Sequence, residues 1–133
     1  MYQVVLPVDA SEERAIAQAS ATTGLPHAKD SVTATVLRVF DDEETADKTS
    51  VEQTPAGNAL VEALQETGVD IETETRQGDP EVQIVNVAEE RDADMIILGG
   101  RKRSPLGALV FGSVSQSVIL DSERPVAVTG SAK

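Results

Sequence analysis

The chain has 133 residues, a length that suits one domain with one core. Its 23 acidic and 11 basic residues leave a net charge of −12 at pH 7, a field that repels a nucleic-acid backbone. Cysteine is absent, which excludes disulfides and thiolate metal sites, and no apolar run reaches the roughly 18 residues of a membrane span. Met1-Tyr2-Gln3 lacks the basic start of a signal peptide, so the expectation is a cytoplasmic protein, one domain over residues 1–133 without a linker.

Val4-Val5-Leu6-Pro7-Val8 is too short for a helix and rich in β-branched side chains, which predicts a strand buried on both faces and ending at Pro7. Ser11 caps a helix with Glu12 and Glu13 in its first turn and Ala15, Ile16 and Ala19 along its inner face. Gly24-Leu25-Pro26 stops it and leaves the single histidine, His27, as a surface loop residue without ligand neighbours. Val32 to Phe40 predicts a second strand buried mostly on both faces. Asp41 to Thr54 has many charges and few apolar residues, and reads as a long solvated or locally disordered loop.

Pro55 opens a helix carrying Leu60, Val61 and Leu64, and Gly68 is placed to end it. Val69, Ile71, Thr73 and Thr75 alternate with Asp70, Glu72 and Glu74, the pattern of a half-exposed strand at a sheet edge. Gly78-Asp79-Pro80 turns into a helix with Val82, Ile84, Val85, Val87 and Ala88. Met95 to Leu98 is a fully buried strand, followed by a loop of glycine and basic residues, a short helix from Ser113 to Leu120 and a last strand from Pro125 to Thr129. Strands alternating with helices imply an α/β fold: a three-layer sandwich around a parallel sheet with right-handed crossovers.

In an open parallel sheet, ligands bind beyond the carboxyl ends of the strands where the strand order reverses. With the first and fourth strands as central neighbours, that crevice lies between Pro7-Val8-Asp9 and the loop from Gly99 to Arg103. This loop runs past Gly107 into Gly112-Ser113 at a helix start. Glycines let backbone N–H groups approach an anion, and a helix amino terminus adds unpaired donors and the favourable end of its dipole. Arg101, Lys102 and Arg103 form the basic cluster of an acidic chain. The parts suit a phosphate; a solvated loop turning at Ser104-Pro105 fits the same residues. No Ser/His/Asp constellation, metal-ligand cluster or general base stands out, so binding rather than enzymatic turnover is expected.

Val5-Leu6-Pro7-Val8-Asp9-Ala10-Ser11, the Gly78-Asp79-Pro80 turn and Ala93-Asp94-Met95-Ile96-Ile97-Leu98-Gly99 resemble the universal stress protein family, and the likeness covers essentially the whole chain. It implies a Rossmann-like fold of the adenine nucleotide alpha hydrolase type, with five parallel strands in the order 3-2-1-4-5. Members that bind ATP have a glycine, two residues, a second glycine, nine residues, then glycine with serine or threonine. Gly99 and Gly112-Ser113 stand at the outer positions with the spacing intact, and Lys102 replaces the second glycine. The resemblance implies that Asp9 and the backbone beside Val39 face adenine, with Pro7 and Val8 among the nucleotide-binding residues. Leu98 and Gly99 would lie by the ribose, and Lys102, Gly112, Ser113 and Val114 would meet phosphates accompanied by Mg2+. Asp9 orienting the strand-to-helix turn, Val39 as core and Ser113 as a plain helix residue are the structural alternatives.

The family likeness implies a small regulatory or stress-response protein that binds ATP, any hydrolysis resting on phosphate positioning with Mg2+. The alternative is a nucleotide-free dimeric interaction module, favoured by Lys102. In both a homodimer through Val126 to Thr129 is expected, with neither nucleic acid nor membrane as partner. Excess carboxylate with four lysines (Lys29, Lys48, Lys102, Lys133) suggests a salt-loving source such as a halophilic archaeon. A phosphoacceptor receiver domain would need an aspartate after the third strand, where Arg76-Gln77-Gly78 stands, and no G-x-G-x-x-G follows the first strand.

Overall fold

The computed structural model describes residues 1–100, 102–103, 109–110 and 112–130, with backbone alone at 102–103 and 109–110. In chain order the elements are β1 (Tyr2–Pro7), α1 (Glu12–Thr23), α2 (Ala28–Ser31), β2 (Val32–Phe40), α3 (Glu43–Lys48), a 3-10 turn (Val51–Gln53), α4 (Pro55–Thr67) and β3 (Asp70–Gln77). They continue with α5 (Pro80–Glu90), β4 (Met95–Leu98), β5 (Lys102–Arg103), β6 (Leu109–Val110), α6 (Ser113–Asp121) and β7 (Val126–Val128). Among the described residues, five parallel strands form one sheet in the order β3-β2-β1-β4-β7. Counted within the sheet this is the expected 3-2-1-4-5.

The apolar runs of β1 and β4 are continuous because both faces of the sheet are covered. Val4, Leu6 and Ile97 face α1 and α4 in one core, while Val5, Ile96 and Leu98 face α5 and α6 in the other. Successive side chains of a strand point to opposite faces, so both sets must be apolar. The edge strand β3 is half-exposed, as its alternation predicts. Two of its carboxylates pair with arginines: Arg91 with Glu72 and Glu74, and Arg76 with Glu74 and with Glu90 of α5.

Three helices differ in which residues they bury. In α1 the inner face is Ala15, Gln18, Ala19 and Thr22, and Ile16 is 44% exposed. Val82 of α5 and Ile119 of α6 also point outward, because the sheet lies one helical step round from the face that their apolar character suggests.

The stretch from Asp41 to Thr54 is not a structureless loop. Asp42 caps α3 by accepting from the Thr45 N–H at 2.9 Å, and Glu44 pairs with Lys48 one turn on. Ser50 and Gln53 then form a reciprocal capping box around a 3-10 turn whose Val51 is 1% exposed, plugged into the α1/α4 core. Local caps supply what the missing apolar periodicity does not. Two further short elements appear inside stretches read as loops: the single turn α2 after His27, which has φ 56°, and the antiparallel pair β5–β6. The last strand is shorter than expected, although Pro125 O and Thr129 N continue its ladder on either side.

Candidate functional site

The carboxyl ends of β1, β2 and β4 and the amino ends of α1, α5 and α6 converge on a cleft of about 240 Å³. Its walls are Pro7, Val8, Asp9 and Ala10 from the β1–α1 turn, Leu37, Arg38 and Val39 from β2, Pro80 and Ile84 from α5, Leu98 and Gly99 from β4, and Val114 and Ser115 from α6. The sequence-predicted residues Pro7, Val8, Asp9, Val39, Leu98, Gly99 and Val114 are therefore brought together. Gly112 and Ser113 do not line the cleft but stand exposed at the start of α6, next to Val114. The side chain of Lys102, Arg101, the side chain of Arg103, Ser104-Pro105 and Gly107 lie outside the described residues.

Leu37, Arg38, Pro80, Ile84, Ala10 and Ser115 were not singled out by sequence. Leu37 could have been found from Val39, since residues two apart in a strand share a face, and Ile84 from Pro80, since residues four apart in a helix do. Arg38 carried no such signal. Its guanidinium lies 5.2 Å from the centre of the Phe40 ring, and among the described residues its buried Nε has no acceptor and it makes no ion pair.

The turn from β1 into α1 is closed by its own side chains. Asp9 Oδ1 accepts from the Ser11 N–H at 2.8 Å and Oδ2 faces Arg14 Nη1 at 2.9 Å, while Ser11 Oγ accepts from the Arg14 N–H at 3.2 Å. The carboxylate of Asp9 thus holds the turn as well as edging the cleft. On the other side, Gly99 lets α1 come close: a Cβ there would lie 2.8 Å from Arg14 Cβ and 3.3 Å from its carbonyl oxygen. Gly100 follows with φ +61° and donates its N–H to Thr129 Oγ1 at 2.8 Å, anchoring the exit of β4 to the strand beyond it. Gly112 is different. Its φ is −68°, and a Cβ there would meet nothing within 4 Å among the described residues.

The ends of β1 and β4 are bridged by a buried amide. Gln18 Nε2 donates to Pro7 O at 2.6 Å and to Ile97 O at 2.9 Å. Carboxylates held below their ordinary range lie elsewhere: Asp42, through hydrogen bonds from Thr45, and Glu90, through its hydrogen bonds with Arg76. Among the described residues no group of three or more His, Asp or Glu side chains is placed to hold a metal ion, and no helix is long and apolar enough to cross a membrane.

An open parallel sheet with helices on both faces and a crevice where the order reverses between β1 and β4 defines a Rossmann-like α/β domain. The chain belongs to the universal stress protein family, whose model matches residues 1–130. It is 39% identical over 64 residues to a universal stress protein of Methanocaldococcus jannaschii, a match taking in 48% of this chain and 38% of that protein. The matched segments span less than half the length of the curated relatives. In structure the chain is similar to a universal stress protein of Archaeoglobus fulgidus, with a TM-score of 0.79 at 28% identity over 97% of this chain and 98% of that one. An Archaeoglobus fulgidus universal stress protein in complex with dAMP shares the fold, with a TM-score of 0.73 at 23% identity over 97% of this chain and 98% of that one.

Proposed function

We propose that this chain is a regulatory stress-response domain that binds ATP at the carboxyl edge of its sheet. The observation that carries the reading is the convergence of Pro7, Val8, Asp9, Val39, Leu98, Gly99 and Val114 on one cleft beside the start of α6. A fold neighbour in complex with dAMP supports an adenine nucleotide as the ligand class. The cleft's volume of about 240 Å³ is below the roughly 300–1,000 Å³ of pockets that enclose a whole ligand. It therefore takes the base and sugar, with adenine against Asp9 and Val39 and ribose against Leu98 and Gly99. The phosphates extend outward to Gly112, Ser113, Val114 and Lys102, where a helix amino terminus that no side chain among the described residues caps offers donors. Mg2+ arrives with the phosphates rather than on a protein site. Occupancy shifts the population of a conformation or partner complex; turnover of the nucleotide is not its purpose.

Titration calorimetry with ATP and Mg2+ tests this, with AMP and Lys102→Gly as comparisons at low and high potassium chloride. Saturable ATP binding, altered by the variant, is expected; AMP binding with the same affinity would remove the outer phosphates from the site. Silence in the wild type with binding in Lys102→Gly would mean that the lysine closes the site.

The second reading, a nucleotide-free homodimeric module, is favoured by the contrast between the sheet edges. The β3 edge carries Asp70, Glu72 and Glu74, whereas Val126-Ala127-Val128 of β7 carries no charge to block pairing with a second copy. Sedimentation at working concentration separates the cases: a dimer in both the presence and the absence of ATP is expected, and a monomer would remove β7 as an interface.

A further inference from the structure

We propose that Gln18 holds the ends of β1 and β4 apart and so sets the width of the cleft; the proposal rests on the nucleotide reading of that cleft. Gln18 is 1% exposed, on the face of α1 that packs into the core beside Ala15 and Ala19. A buried amide is costly, roughly 1–3 kcal/mol, unless its hydrogen bonds are made. Both bonds from Nε2 go to carbonyls of the two strands that flank the switch point, 2.6 Å to Pro7 and 2.9 Å to Ile97.

The reason lies in the ladder. β1 and β4 pair at Val4 with Met95 and at Val5 with Ile96, and the register then stops. In a parallel pair with this phase, the next bond would run from the N–H of residue 7 to the carbonyl of Ile97. Residue 7 is proline, which has no N–H. Gln18 supplies the missing donor from the helix above and inserts a side-chain amide where a backbone N–H would have drawn the strands together. Beyond this point each strand turns to its outer neighbour: Val8 N–H donates to Leu37 O at 2.8 Å on β2, and Thr129 N–H donates to Leu98 O at 3.0 Å from the β7 side. The crevice opens between them. Gly99 completes the arrangement, because a Cβ there would lie 3.2 Å from Gln18 Oε1 and press on the amide.

The test uses the full chain with Gln18→Leu, Pro7→Ala and the double variant, read by thermal midpoint, ATP titration and hydrogen exchange of the backbone amide that Pro7→Ala introduces. Gln18→Leu leaves two carbonyls without their donor; a lower midpoint and at least tenfold weaker ATP binding are expected. Adding Pro7→Ala gives Ile97 O a backbone donor. The midpoint then recovers and the introduced amide becomes protected, yet ATP remains at least tenfold weaker than in the wild type because the strands have closed on the cleft. A double variant with recovered midpoint and wild-type ATP binding would reduce Gln18 to a structural residue and sink the proposal. So would a double variant that binds ATP no more weakly than Pro7→Ala alone, the variant that sets the baseline because residue 7 itself lines the cleft. If the wild type binds no adenine nucleotide, the functional reading fails by itself. Protection of the introduced amide in the double variant then still decides whether Gln18 keeps the strands apart, and an unprotected amide overturns that as well.

Discussion

The helix amino termini around the sheet are finished in two ways. At α1, α3 and α4 the residues Ser11, Asp42 and Thr54 close the first turn by accepting a backbone N–H three residues on. At α5 and α6, which supply Pro80, Ile84, Val114 and Ser115 to the cleft, Asp79 makes no side-chain capping bond and Gly112 has no side chain to make one. A capped terminus keeps its donors for the chain; an uncapped one beside a cleft offers them outward. The single turn α2 is uncapped too, but it connects α1 to β2 at the opposite end of the strands. Between α5 and α6 the second has more to offer, because Pro80 at the first position of α5 has no N–H.

Two glycines put this contrast to the strongest test. A Cβ at Gly99 meets Arg14 Cβ at 2.8 Å and backbone at 3.3 Å, so α1 must move; Gly99→Ala is expected to cost about 2 kcal/mol of stability, as overpacked sites do. Gly112→Ala meets open space among the described residues at a φ that any residue adopts, and as an N-cap glycine replaced by alanine it costs at most about 1 kcal/mol. If α6 receives phosphate, that same variant weakens ATP about tenfold, roughly 1.4 kcal/mol. Urea midpoints and calorimetry on both variants check these outcomes. Equal midpoints would erase the packing distinction, and unchanged ATP affinity in Gly112→Ala would take α6 out of the site.

The two serines sharpen the same contrast at smaller amplitude. Ser11→Ala removes the acceptor for the Arg14 N–H and lowers stability by about 1 kcal/mol, with ATP affinity unchanged within about twofold. Ser113→Ala reverses the pattern, holding stability within about 0.5 kcal/mol while weakening ATP several-fold. Loss of affinity in Ser11→Ala beyond what its stability explains would bring α1 into the ligand site and break the distinction between capped and open ends.

The sheet was legible because its central strands are buried on both faces. Val4-Val5-Leu6 and Met95-Ile96-Ile97-Leu98 announce themselves as apolar runs, and β3 as an alternation. The residues at the strand ends followed from the sheet order and the family likeness. What stayed hidden depends on contacts that no local pattern encodes. α3 buries no residue, so periodicity could not mark it; its evidence was the Asp42 to Thr45 spacing and the Glu44–Lys48 pair. Val51 enters the core as a single apolar residue among charges, and reaches it because Gly57 leaves room for its turn against α4. Gln18 reads as a solvated helix position, and its partner Ile97 lies 79 residues along the chain. Arg38 and Leu37 belong to the cleft because β1 ends before β2 does, a fact of register rather than of composition.

The smallest expected effect concerns a capped end whose cap can be titrated. The backbone N–H of Thr45, then its hydroxyl, donate to the Asp42 carboxylate and hold its pKa below the ordinary value of 3.8. A carboxyl with a depressed folded pKa contributes its full stability above the unfolded value and loses it as the pH falls through the folded one. The contribution of Asp42 is therefore complete above about pH 4 and disappears below it. Because α3 buries no residue, the loss is local, and the helix frays before the sheet responds. Asp42→Asn keeps an oxygen for the Thr45 N–H and removes the titration. Carbon chemical shifts of Glu43 to Lys48 should move further toward coil values below about pH 4 in the wild type than in the variant, with α1 as internal reference because the Ser11 hydroxyl does not ionise there. Identical acid behaviour in the two proteins would assign the stability of α3 to the Glu44–Lys48 pair instead, and the capped ends would no longer form one class.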